Sequence, residues 1–400
     1  MISGFVRPDG KVGIRNKVLI LSTVGCANNT VKRIAAQVEG TVALPNVKGC
    51  GQIGKGIDIM RRCLANVTQN PNVYGTIIVG LGCETTKPHE LAEHVRSLSD
   101  KPVEVFTIQE LGGTPKAIAY GVALARKMVA EAGLVPRVPV EPSKIVLATN
   151  CGGSDATSGL AANPTVGACS DILISKGGTV MLGETTELIG TEHLLGERAK
   201  DDKVRNDIYT IVQDLEHQFI ANGIDVRGAN PTPGNMKGGL STLEEKALGG
   251  ISKGGSGPIN QVVGYGEIPS ENGLVIMDTP GYDIESVSGM AVGGAQVCIF
   301  TSGRGNPVGN ALIPVIKVTG NPETYESMKD NTDLDTSGVI DGSDTIDSLG
   351  EKLYGILEDV CNGMPCKSEA YGFDDFAVYH NEEIWCTCDL SQDLMGCPSH

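Results

Sequence analysis

KVLILSTVGC (residues 17–26), TIIVGLGC (76–83) and KIVLATNC (144–151) are short β-branched runs, each closing in a turn that carries a cysteine. Unbroken apolar runs of this kind suit strands buried on both faces of a parallel sheet, not strands with one wet face. Four more follow: GGTVMLGE (177–184), GLVIMDTPG (273–281), QVCIFTSGRG (296–305) and PVIKVTGN (314–321). Between them, residues 114–132 and 203–221 carry apolar side chains at three- and four-residue spacing, the signature of amphipathic helices. Alternating strand and helix signals predict an α/β fold with a mostly parallel sheet and right-handed crossovers.

GLVPRVPVEPSK (133–144) holds three prolines and separates two blocks that each restart with a strand. The expected organisation is a smaller N-terminal α/β domain over 1–135, a larger domain over 144–388 and a weakly ordered tail over 389–400. The stretch from Gly228 to Gly257, rich in Gly and Pro, reads as a mobile loop within the larger domain. The 400 residues carry 32 Lys+Arg against 48 Asp+Glu, a net charge of −16. That balance repels nucleic acid and anionic membranes. No run approaches the roughly 18 apolar residues of a membrane span, and the polar N-terminus lacks a signal-peptide core. A cytoplasmic protein is expected, with its 12 cysteines mostly reduced.

Cys26, Cys83 and Cys151 each sit in a turn directly after a strand, and Cys50 lies between glycines in KGCGQIG. Ligands bind beyond the carboxyl ends of parallel strands. Converging thiolates there suit an iron–sulfur cluster or a softer metal ion; the alternative is small, buried, inert side chains. Cys361/Cys366 and Cys386/Cys388 read as structural. In NCGGSDATSGLAANP (150–164), Ser154 and Asp155 are natural helix caps, and Gly152 and Gly153 let the first helical amides approach an anion such as a carboxylate. GETTELIGTEHLL (183–195) gathers Glu184, Glu187, Glu192 and His193, reasonable acid–base groups or hard-cation ligands. The Gly-rich stretch supplies Lys237, Lys246 and Lys253, suited to an anionic substrate. Asp278, Thr279 and Arg304 fall at two further strand ends, where Arg304 is placed to clamp a carboxylate bidentately. No phosphate-binding glycine motif indicates a nucleotide.

Taken in order, GFVRPDGKVGIRN (4–16), VGCANN (24–29), GCGQ (49–52), GLGCE (80–84), NCGGSDATSGLAANPTVG (150–167), GGTVMLGETTELIGTEHLL (177–195), NPTPGNMKGGLSTLEEKALG (230–249), MDTPGYD (277–283) and TSGRGNPVG (301–309) resemble the altronate and galactarate dehydratase family. The resemblance implies a dimerising first domain and a Rossmann-like second one. It also implies hydro-lyase chemistry on sugar acids that yields a 2-keto-3-deoxy acid, and dependence on iron or another divalent cation. Single-chain members begin with a further small β-rich domain, so a separate small β-rich subunit is the expected partner, with a homodimer or higher assembly. The same split arrangement occurs in the related sulfolactate sulfo-lyase, where sulfite leaves instead of water. A non-catalytic sugar-acid-binding subunit is the third reading. On this likeness the catalytic candidates are Asp155, Glu184, His193 and Lys246. The substrate-binding candidates are Gly152, Gly153, Ser154, Asn235, Asp278, Thr279 and Arg304. The metal ligands are Cys26, Cys50, Cys83 and Cys151. Some members carry Lys where this chain has Met236, followed here by Lys237.

Overall fold

The computed structural model describes residues 1–51 and 54–379; the tail expected over 389–400 and the pair Cys386/Cys388 lie outside them. The chain opens with β1 (Ile2–Val6) and β2 (Val12–Gly13), then runs through β3 (Lys17–Ser22), β4 (Thr41–Leu44), β5 (Val73–Gly80) and β6 (Val103–Thr107). It continues with β7 (Val138–Val140), β8 (Val146–Cys151), β9 (Thr179–Leu182), β10 (Ile259–Val263) and β11 (Gly273–Met277). The last strands are β12 (Val297–Thr301), β13 (Val315–Thr319) and β14 (Leu334–Asp335). Two compact units result, one from Met1–Arg15, Asn70–Asn72 and Pro136–Phe376, the other chiefly from Asn16–Gln69 and Val73–Val135.

In the smaller unit four parallel strands lie in the order β4-β3-β5-β6. Helices Asn28–Ala35 and Thr114–Ala132 supply Val31, Ile34, Ala117, Val122, Ala125 and Met128 to a core shared with Ile20 and Ile77. The second helix has the span that its apolar spacing predicts. The larger unit holds a parallel sheet of seven strands, β10-β11-β9-β8-β12-β13-β14. β9, β11, β12 and β13 are buried along their whole length, which is why they read as unbroken apolar runs. The core formed by Leu147, Val180, Leu182, Leu274, Ile276, Ile299 and Ile316 takes its cover from helices Asn163–Ser175, Asp202–Ala221 and Ile346–Cys361. Cys361 and Cys366 are buried in it. No helix among the described residues is long and apolar enough to cross a membrane.

A small antiparallel sheet, β2-β1-β7, completes the larger unit. Asn72 ties the early chain into that unit. Its buried Oδ1 accepts from the amides of Ile14 (2.9 Å) and Arg15 (3.2 Å), and its Nδ2 donates to the carbonyls of Gln296 (2.9 Å) and Leu312 (3.1 Å). Asn72→Ala orphans four backbone groups and is expected to cost about 3 kcal/mol in urea unfolding. A loss under about 0.5 kcal/mol would show that the asparagine is not a tie.

Candidate active site

From β8 the chain crosses to β9 and, farther on, β11 on one side, and later to β12 and β13 on the other. The loops after β8 and β12 therefore diverge, opening a crevice at the carboxyl end of the sheet of the kind where α/β proteins bind ligands. Glycine is required there. A Cβ on Gly152 would meet Asp283 Oδ2 at 2.5 Å and Phe300 Cζ at 2.7 Å, and one on Gly303 would meet Asp155 Oδ1 at 2.1 Å. Beyond Asp155 the backbone makes a π-helical turn, Ser158–Ala162, a feature common at functional sites.

At the bottom of the crevice lies Lys253, wholly shielded from solvent. Its Nζ is 3.0 Å from Glu184 Oε2 and 2.9 Å from Cys151 Sγ. The Cys151 amide donates to the same Glu184 oxygen at 2.8 Å. Burial raises the Glu184 carboxyl to about 7 against the pull of Lys253, and Glu187 and Asp283 add to the rise. Burial, then the Glu184 charge, also pushes the Cys151 thiol up. Burial opposes the Lys253 charge, but Cys151 and Glu184 outweigh it and the shift is upward. With the thiol neutral, Glu184 is the group that balances the ammonium once its carboxyl is ionised, above about pH 7.

Glu184 reaches this position through a strained backbone. It is the only described non-glycine residue with positive φ, at 68°, a conformation that costs about 1 kcal/mol or more. Thr279 holds it, accepting the Glu184 amide on Oγ1 at 2.6 Å, while Thr185 donates its hydroxyl to Asp278 Oδ1 at 2.6 Å. Lys253 is held by its own chain: its carbonyl accepts from Ser170 Oγ at 2.8 Å, and Asn163 Nδ2 donates to the Gly249 carbonyl at 2.9 Å.

A second ion pair joins the first. Lys246 Nζ is 2.8 Å from Glu187 Oε1 and donates to Asn230 Oδ1 at 2.9 Å. The other Glu187 oxygen, Oε2, is buried without a hydrogen-bond partner, as are Asn150 Oδ1, Thr186 Oγ1 and Ser302 Oγ from neighbouring strand ends. Buried orphans are rare in folded proteins, and several around one crevice mark a place where a polar ligand or water completes the bonding. On the far side, Asp283 Oδ2 accepts from Asn306 Nδ2 at 2.7 Å, and burial raises its carboxyl. Lys317 lies over the Phe300 ring, 3.5 Å from its centroid, and burial lowers its amine to about 8.

The structure gathers Gly152, Gly153, Ser154, Glu184, Asp278, Thr279 and Arg304 at the ends of β8, β9, β11 and β12. Asn235 joins them by donating to the Ser154 carbonyl at 2.8 Å, and Lys246 through Glu187. Arg304 is exposed at the rim, one Nη1 hydrogen bond to the Gly234 carbonyl holding it at 3.1 Å. Asp155 acts as a helix cap: Oδ1 accepts from the Ser158 amide (3.0 Å) and Thr157 Oγ1 (2.6 Å), and Oδ2 from Asn321 Nδ2 (2.9 Å). His193 is exposed on the short helix Glu192–Glu197, and none of the ion pairs or hydrogen bonds of the cluster involves it.

The stretch expected as a mobile loop is instead built of helices Pro233–Lys237 and Leu243–Ile251 and a tight turn, Ser252–Gly254, and it turns Lys253 inward. Lys237 remains exposed. Glu187 and Lys253 are among the acid–base and lysine candidates of the sequence, whereas Asp283 and Lys317 are not singled out there; for Lys317, the one charge within a buried strand was the available signal. Cys151 lies against Lys253, whereas Cys26, Cys50 and Cys83 belong to the smaller unit. Among the described residues, no three His, Cys, Asp or Glu side chains are gathered closely enough to hold a metal ion.

The raised Glu184 carboxyl sets a sign for stability against pH. Between 4.5 and about 7 the folded state binds the proton that the unfolded state has lost, so its contribution falls as pH rises through that window. Glu184→Gln removes this slope. Urea unfolding across the window is expected to show the wild type losing stability relative to the variant as pH rises, and parallel curves would contradict the assignment.

Two family models cover nearly the whole chain: the second domain of D-galactarate dehydratase/altronate hydrolase over residues 4–133, and the C-terminal domain of D-galactarate/altronate dehydratase over 142–384. The β subunit of (2R)-sulfolactate sulfo-lyase from Chromohalobacter salexigens is 36% identical, the match covering 94% of this chain and 96% of that protein. Altronate dehydratase from Bacillus subtilis is 33% identical, over 94% of this chain and 77% of the relative. Galactarate dehydratase (L-threo-forming) from Escherichia coli is 32% identical, over 90% and 72%. With both domains matched in order and relatives above 30% identity matched over most of their length, the chain belongs to the D-galactarate/altronate dehydratase family.

Proposed function

We propose that this enzyme dehydrates a sugar acid such as altronate or galactarate to a 2-keto-3-deoxy acid. In this reading it is the large, iron-dependent subunit of a split cytoplasmic enzyme, working with a small β-rich chain and assembling as a homodimer or higher. The observation that carries the chemistry is the Lys246–Glu187 pair, whose buried Glu187 Oε2 has no partner. Dehydration beside a carboxylate needs a base for the proton on the adjacent carbon and positive charge to hold the resulting electron density. Glu187 Oε2 takes that proton. Lys246, with one N–H beyond those spent on Glu187 and Asn230, bonds the substrate carboxylate or the developing enolate. Arg304 and the amides after Gly153 draw the carboxylate in from the rim. The electron pair left by that proton forms the carbon–carbon double bond as the C–O bond on the next carbon breaks, the departing hydroxyl takes the proton from Glu187 and leaves as water, and the enol tautomerises to the keto acid.

The buried Lys253–Glu184–Cys151 group is assigned a positioning role, since both Glu184 oxygens already face Cys151 or Lys253. Glu184 or His193 as the base, the alternatives the sequence suggests, fits less well: the first is enclosed and the second faces solvent. Release of sulfite from sulfolactate is the second reading, favoured by the 96% coverage of the sulfo-lyase β subunit, a relative whose name also supports the split arrangement.

The test is an anaerobic assay with ferrous iron on altronate, galactarate and sulfolactate, reading keto acid and sulfite separately. Keto acid from a sugar acid without sulfite is expected; sulfite from sulfolactate alone establishes the second reading, and binding without turnover a sugar-acid-binding subunit. Glu187→Gln keeps an oxygen for Lys246 and is expected to lower kcat by about 100-fold or more with little change in KM. Unchanged turnover would remove Glu187 as the base.

A further inference from the structure

Asn150 of β8 pairs in register with Phe300 of β12, and Phe300 with Lys317 of β13, so the three side chains share one face of the larger sheet. Cys151 and Thr301 turn to the other face, where Cys151 meets Lys253 and Thr301 Oγ1 donates to Asn163 Oδ1 at 2.6 Å. Ser302 follows at the strand end, its Oγ 3.4 Å from where a Cβ on Gly153 would lie. Asn150 Oδ1, Ser302 Oγ and Lys317 Nζ are all buried without a hydrogen-bond partner. Proton abstraction by Glu187 uses none of them, so three orphaned polar atoms on three adjacent strands need a reason.

Asp283 meets this face from the first turn of helix Asp283–Val292. A Cβ on Gly152 would strike both its Oδ2 and the Phe300 ring, so carboxylate, ring and glycine converge. Asn306 Nδ2 holds Oδ2 at 2.7 Å, whereas Oδ1 has no hydrogen-bond partner among the described residues and the side chain is only partly buried. Lys317 attracts Asp283 without forming an ion pair with it, and the charges of Lys246 and Glu187 reach the same carboxylate. Groups that only donate (the Lys317 ammonium) and groups that only accept (Asn150 Oδ1 and Asp283 Oδ1) are thus left open around one place. A hydroxyl satisfies both kinds, because it accepts one hydrogen bond and donates another. A sulfonate or a second carboxylate would satisfy the ammonium and set negative charge against both acceptors.

We propose that Asp283 and Lys317 form the subsite for the hydroxylated tail of the substrate, the carbons beyond the two that react, with Asp283 Oδ1 accepting from a tail hydroxyl and Lys317 holding the carboxylate from behind. Asp283 is the group that touches the ligand; Lys317 is a positioning residue, and Asn306 fixes the other oxygen. A hydroxyl bonded to a carboxylate makes a charge-assisted hydrogen bond, the stronger kind. A site built on such a bond rejects a ligand without the hydroxyl, since its polar groups then stay unpaired. The assignment rests on the sugar-acid reading and narrows it to acids with a polyhydroxylated tail, and it disfavours sulfolactate, which brings a sulfonate to Asp283.

The test is calorimetric binding to the full chain under argon with ferrous iron, in a Glu187→Gln background that keeps the acids unreacted. The probes are altronate, sulfolactate and glycerate, which retains the carboxylate and the first two hydroxyls but has no tail. The background chain is expected to bind altronate about 10-fold or more tighter than either of the others. Adding Asp283→Ala is expected to erase that preference by weakening altronate while leaving glycerate unchanged. Asp283→Asn keeps the side-chain shape and shifts altronate in the same direction, which covers an alanine chain that fails to fold. Lys317→Met is expected to weaken altronate alone and, with Glu187 intact, to raise KM with kcat unchanged, whereas a merely structural lysine would weaken both acids alike. Equal binding of altronate and glycerate, binding of neither, tighter binding of sulfolactate, or a preference that survives in a folded Asp283→Ala chain would overturn the assignment. Keto-acid formation by the wild type is recorded separately, so an altronate preference that depends on Asp283 without any turnover refutes the dehydration and leaves the subsite standing.

Discussion

An ammonium sealed from water must be matched by an anion placed to within a few tenths of an ångström, and that requirement at Lys253 organises the larger unit. A buried charge that loses its partner costs about 3–5 kcal/mol, so the surroundings are arranged to keep the partner in place. Glu184 accepts a left-handed backbone to present its carboxylate, Thr279 holds the strained amide, and the Cys151 amide takes up what remains of the charge. On the lysine side, helix Asn163–Ser175 grips the chain through Ser170 and Asn163. Gly167 permits this grip, since a Cβ there would lie 2.2 Å from the Ser252 carbonyl oxygen.

The second pair, Lys246 and Glu187, stands on this foundation. Glu187 sits one helical turn beyond Glu184, so whatever fixes the first carboxylate also aims the second. Two lysines and two carboxylates alternate in charge, leaving the crevice nearly neutral overall while offering a carboxylate oxygen and an ammonium hydrogen to a ligand. Such a preorganised arrangement suits a substrate that arrives with a carboxylate and must pass through a more highly charged state.

The strands were legible because a parallel sheet buries both faces, and β8, β9, β11, β12 and β13 carry that condition openly in their apolar runs. The strand-end glycines, Asp278, Thr279 and Arg304 were legible for the same reason, since a strand's carboxyl end locates a ligand crevice once the sheet is known to be parallel. Lys253 was legible as one of three lysines of a glycine-rich stretch, but not as a buried one: it lies in ISKGGSG, and only the helices Pro233–Lys237 and Leu243–Ile251 with the turn Ser252–Gly254 bring it inside. Asp155 takes the helix-capping place that its position after a glycine pair suggests, its Oδ1 bonded by Ser158 and Thr157, while its Oδ2 accepts from Asn321, a partner that no local pattern announces. The exposure of His193 was not legible, because an ionisable side chain near a strand end carries no mark of which way its short helix faces.

The geometry of the crevice depends on the claim that Lys253 and Glu184 form one coupled unit. Urea unfolding of the wild type, Lys253→Met, Glu184→Gln and the double variant measures that coupling directly. The account predicts an interaction energy of about 2 kcal/mol or more, with the double variant more stable than the two single losses add up to. Additive losses would contradict it, leaving Lys253 and Glu184 as separate buried residues with no shared role in shaping the site.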